Sequence, residues 1–118
     1  MEETKGQVVR LEKIAEIVGK KLTGKTCAGM KGVLSEGSEV LEDTEKGTVR
    51  DVALIAAAQR VEHYEMAGYG SAREFANQLG LTDVADLLEE TLSEEKEADE
   101  ILTKIAKSLN KEALREAA

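Results

Sequence analysis

The sequence predicts an all-α domain, and three observations carry that prediction. Proline is absent and aromatic residues make up only 3% of the chain, while the strong helix formers Ala, Leu, Glu and Lys are abundant. Apolar residues recur at i, i+3 and i+4 in four segments separated by Gly and Thr. No stretch alternates apolar and polar residues for long enough to make a strand. With 118 residues the chain has room for one modest core and too little for two domains.

The first helix is expected from Glu2 to about Lys21, because Val8, Leu11, Ile14, Ala15, Val18 and Leu22 form one stripe. Thr23-Gly24-Lys25-Thr26 reads as a loop. A shorter helix follows to about Thr44, marked by Met30, Val33, Leu34, Val40 and Leu41. Gly29, Gly32 and Gly37 each weaken it by about 1 kcal/mol relative to Ala, so tertiary contacts must hold it. Lys46-Gly47 is a turn, with Thr48 as the expected N-cap of the third helix and Asp51 in its first turn.

That third helix runs to about Asn77 on a stripe of Val52, Ile55, Ala58, Tyr69, Ala72 and Ala76, flanked by Leu54, Val61, Phe75 and Leu79. Gly68 and Gly70 are positions where it can bend. Gly80 ends it, and Thr82 is expected to cap a last helix reaching about Asn110. The core stripe of this last helix is Val84, Leu88, Thr91, Leu92, Ala98, Leu102, Ile105, Ala106 and Leu109.

Composition narrows the function. Sixteen basic against 24 acidic residues give a net charge of −8, which disfavours a nucleic-acid or anionic-membrane partner. The single cysteine, Cys27, excludes an intrachain disulfide, and Glu2 and Glu3 replace the basic start of an export leader, so a cytoplasmic setting is expected. The single histidine, His63, excludes a site built on two imidazoles from one chain. Any metal site here must be made mainly of carboxylates.

Carboxylates do stand where the core should be. At about 100° per residue, Glu62 falls inside the apolar stripe of the third helix and Glu65 lies one turn on. Glu95 falls at the centre of the last helix's stripe, with Asp99 one turn on along nearly the same line. Glu3 is a weaker candidate on the shoulder of the first helix, with Gln7 one turn below. An unpaired carboxylate taken from water costs several kcal/mol, so these acids require either a cation among them or pairing with Arg10, Arg60 or Arg73. Tyr69, on the same stripe, is either a packed core residue or a carboxylate partner. Cys27 is expected to be an ordinary, partly buried thiol.

Thr4-Lys5-Gly6-Gln7, the segment from Cys27 to Glu36, the run from Val49 to Glu65 and Leu87-Leu88-Glu89-Glu90-Thr91-Leu92 resemble the bacterial ferritin-like stress proteins of the YciE and YciF type. The resemblance covers nearly the whole chain. It implies a ferritin-like helical bundle of three long helices and one short helix per chain, with a dinuclear Fe or Mn centre in its core. Glu62, Glu65, Glu95, Asp99 and Glu3 match that family's metal-binding positions. The departures are a first bundle helix with its ligand Glu and a second-helix His, both of which would lie upstream of Met1, and Lys5 at the alternative His position. The resemblance thus implies an incomplete site of five carboxylates, with His63 in a supporting or surface role, and a bundle completed by homodimerisation. All-oxygen ligands suit Fe(II), Mn, Mg or Ca better than structural Zn. The competing class is a non-enzymatic helical scaffold or oligomerisation module whose acids are relics or ion-paired.

Overall fold

The computed structural model of the chain describes residues 2–118. Four helices account for the secondary structure of these residues: α1 (Glu2–Val18), α2 (Ala28–Asp43), α3 (Thr48–Gln78) and α4 (Thr82–Ala117). The all-α bundle expected from the sequence is observed. None of the described helices is long and apolar enough to cross a membrane.

The scaffold is the antiparallel hairpin of α3 and α4, which share the most extensive contact; α2 lies against α3 and α1 against α4. Its turn follows from the backbone chemistry at Gly80. There φ is +70°, a conformation that glycine adopts without the clash a Cβ brings. The amide of Leu81 then reaches the Ala76 carbonyl at 2.9 Å and that of Gly80 the Asn77 carbonyl at 3.0 Å, so the orphan carbonyls of α3 are satisfied. Leu81 packs beside Ala76, Val84, Ala85 and Leu88, the apolar cluster that Ile14 of α1 and Tyr69 also join.

Several boundaries differ from expectation, each for a local reason. Gly19, at φ +65°, ends α1 at Val18 and leaves Leu22 exposed beyond it. Gly47 and Leu81, not Thr48 and Thr82, occupy the N-cap positions of α3 and α4, and neither makes a side-chain cap. The α3 helix passes through Gly68 and Gly70 without interruption, and α4 continues to Ala117 rather than about Asn110. Phe75 and Leu79, assigned to the core flank, are 66% and 74% exposed.

The helix lengths set the molecule's form. At about 1.5 Å per residue, the 36 residues of α4 span about 54 Å and account for the 56 Å long axis. The radius of gyration is 17.2 Å, against about 13.5 Å for a compact domain of this length. The hairpin is therefore incompletely wrapped. No residue of α1 or α2 is buried, and the buried core lies entirely on α3 and α4.

Candidate metal centre

The antiparallel register brings Glu95 of α4 level with Glu62 and Glu65 of α3, and one carboxylate oxygen from each falls within 4.8 Å of the others. Glu95 is only 4% exposed. The three acids line a cavity of about 480 Å³ whose remaining wall comes from Glu3, Thr4 and Gln7 of α1, Met30 and Leu34 of α2, and Val61 and Ala98. All four helices thus contribute to it.

The acids perturb one another because they share a partly dry space. Burial first, then a hydrogen bond with Glu95 and the charges of Glu95, Glu65 and Asp99, push the Glu62 carboxyl up to about 8. Burial and the Glu95 charge also raise Glu65. An upward shift of this kind favours the protonated form of Glu62 in the cation-free protein, and a carboxyl proton there is within reach of Glu95. Its Oε2 is buried with no hydrogen-bond partner.

Arginine does not neutralise the cluster. Arg10 binds Glu94 and Glu90, with Nη2 at 2.5 Å and 2.7 Å from their Oε1 atoms. Arg60 lies 3.7 Å from Glu36, and Arg73 pairs with Glu89. The only protein donor hydrogen-bonded to the trio, among the described residues, is the Gln7 amide, whose Nε2 is 2.5 Å from Glu95 Oε1 and 3.2 Å from Glu94 Oε2. Gln7 stood out in the sequence only as a polar residue one turn from Glu3.

The other candidate acids are placed differently. Glu3 is exposed but lines the cavity. Asp99 lies outside the trio: the register that sets Glu95 level with Glu62 sets Asp99 level with Gln59 and His63. Gln59 Nε2 donates to Asp99 Oδ1 at 3.1 Å, and His63 Nε2 is 3.0 Å from the same oxygen. His63, 63% exposed at its side chain, holds Asp99 from the outer surface. Lys5 is exposed.

Tyr69 is half-buried against the apolar cluster, and burial and the charges of Glu65 and Glu95 raise its phenol. Cys27 is exposed rather than partly buried, because it caps α2: its sulfur accepts from the Met30 amide at 3.4 Å. It also lies 2.9 Å from the Tyr64 hydroxyl, and the Tyr64 bond followed by the Met30 amide lowers its pKa. This contact gives Gly29 a purpose. A Cβ there would collide with the Tyr64 ring and hydroxyl unless that side chain shifted.

The trio fits a hard cation. Three equidistant oxygens held at about 2.0–2.6 Å by one ion lie at most about 4.5 Å apart, so acids within 4.8 Å of one another have to draw in slightly to share a cation. No backbone or side-chain N–H donor reaches the buried Glu62 Oε2.

Comparison with known proteins agrees with this architecture. The chain is 49% identical over 115 residues to protein YciF of Escherichia coli K12, an alignment covering 96% of this chain and 69% of that one. The crystal structure of the E. coli stress protein YciF superposes with a TM-score of 0.88 at 48% identity, over 93% of this chain and 70% of that one. YcfI of Rhodopseudomonas palustris, put forward as a structural protein, gives 0.82 at 38% identity over 86% of this chain and 65% of that one. Residues 1–115 match the family described as a domain of unknown function, DUF892, and the chain belongs to that family.

Proposed function

We propose that the chain is a ferritin-like stress-response protein whose core binds hard divalent cations, Fe(II) or Mn(II), through Glu62, Glu65 and Glu95, with Glu3 at the rim. The observation that carries the reading is the convergence of three acids from two helices with no arginine among them and one buried oxygen unpartnered. The name given to YciF, a stress protein, supports the stress role. A bound pair of such ions would supply redox chemistry toward O₂ or peroxide. The chain's own residues hold and orient the oxygens: Gln7 steadies Glu95, and Tyr69 and Leu88 carry the apolar packing on toward the hairpin turn. We also propose that two chains associate, covering apolar side chains left exposed on α1 and α2 such as Val8, Val9, Leu34 and Leu41.

The second reading is a helical scaffold without metal. It is favoured by the description of YcfI as structural and by the raised Glu62 carboxyl, whose protonation neutralises one charge without any cation. Metal analysis of purified protein, with melting temperatures before and after chelation, separates the two. Bound Fe or Mn and a lower melting temperature after chelation support the first. No bound metal and no response to added Fe(II) or Mn(II) leave the scaffold.

A further inference from the structure

The α1 helix buries none of its residues and packs along α4 alone among the other helices. Besides the apolar contacts of Ile14 with the buried cluster and of half-buried Leu11 beside Tyr69 and Leu88, it is held by two polar side chains one turn apart. Arg10 clasps Glu94 with both terminal nitrogens, Nη1 to Oε2 at 2.7 Å and Nη2 to Oε1 at 2.5 Å. It also reaches Glu90 Oε1 at 2.7 Å and Thr91 Oγ1 at 3.2 Å. Such fork-to-fork pairing fixes orientation as well as distance. Gln7, the next turn toward the cavity, donates to Glu95 Oε1.

We propose that Gln7 is the positioning residue for Glu95 and that Arg10 latches α1 over the carboxylate cavity, so that docking of α1 and cation loading favour each other. The coupling rests on the cation-binding reading above. A carboxylate has two oxygens, so a donor on one orients the other without excluding a cation. Docked α1 also carries Glu3 and Thr4 to the cavity wall. Released, it exposes the cavity to water and leaves Glu95 without its amide donor. Linkage makes the effect reciprocal: whatever factor docking adds to cation affinity, the cation adds to docking.

The sign of one substitution separates this device from simple electrostatics. Removing the positive charge of Arg10 should tighten cation binding if charge alone matters, and weaken it if the latch matters. The test is Mn(II) binding by electron paramagnetic resonance, with amide hydrogen exchange of α1 measured in the presence and absence of Mn(II). In Arg10→Met, α1 should exchange faster without metal and Mn(II) affinity should fall, with Gln7→Leu falling by about 10- to 100-fold. Arg10→Lys should recover part of both, and it serves as the readout if Arg10→Met does not fold. Mn(II) should slow α1 exchange in the unsubstituted protein. Tighter or unchanged binding in Arg10→Met, or α1 exchange indifferent to Mn(II), would overturn the coupling. An unsubstituted protein that binds no Mn(II) overturns the cation reading and the coupling with it. In that case faster α1 exchange in Arg10→Met still shows the latch, and unchanged exchange removes it.

Discussion

Glu62 ties stability to pH in a direction opposite to that of an ordinary ion-paired acid. Its folded pKa is raised, from an ordinary 4.5 to about 8. Below the lower value both the folded and unfolded chains hold the proton, and the contribution to stability is fully present. Between the two values the unfolded chain releases the proton while the folded chain keeps it, so stability is lost as pH rises toward about 8. The full difference has a ceiling of about 5 kcal/mol at 1.36 kcal/mol per pKa unit. Glu62 is only partly buried, and solvent screening reduces the expectation to about 2 kcal/mol. Glu62→Gln keeps the side chain's shape and cannot ionise. Urea unfolding of the chelated proteins, followed by far-UV ellipticity, should show the unsubstituted chain losing about 2 kcal/mol relative to Glu62→Gln between about pH 5 and about pH 8. Parallel stability profiles across that range would refute a shared proton in the cavity.

The remaining predictions address the scaffold and the thiol. Gly80→Ala introduces no clash, since nothing lies near its Cβ, but forces φ +70° on an L-residue and should destabilise the hairpin by about 1–2 kcal/mol in the same assay. Leu92→Ala, at a side chain 4% exposed, should cost about 3 kcal/mol; a loss below about 1 kcal/mol would show that the site collapses onto its neighbours. Tyr64→Phe removes the principal cause of the lowered Cys27 pKa, so alkylation of that thiol by iodoacetamide near neutral pH should slow. Equal rates would mean that the α2 N-terminus alone sets its reactivity. At acid pH, Glu94 and Glu89 act in the usual sense. Arg10 and Arg73 hold them low, so their stabilising effect is lost as pH falls below the ordinary carboxylate range.

The part of this arrangement written in helical periodicity is legible in the sequence. Glu62 and Glu95 are visible as acids on apolar stripes because a stripe is a property of one helix, and both stripes do face each other. What periodicity does not encode is the level at which two helices meet. Asp99 shares Glu95's line, yet lies one turn further along, where it meets Gln59 and His63 instead of Glu62. The roles of Gln7 and Arg10 likewise depend on how α1 lies on α4, across more than 80 residues of sequence. The same holds for the Cys27–Tyr64 contact, which makes Gly29 a point of close approach rather than only a weak helix residue. The N-cap assignments failed for a simpler reason. Thr48 and Thr82 are good capping types, but each is already inside the first turn, and the positions before them are held by backbone conformation.

The most direct measurement of a metal centre here is anomalous scattering from crystals grown or soaked with Mn(II). A peak among Glu62, Glu65 and Glu95, with carboxylate oxygens at about 2.0–2.6 Å, is the predicted result. Ordered carboxylates at those positions with no peak between them at saturating Mn(II) would contradict it.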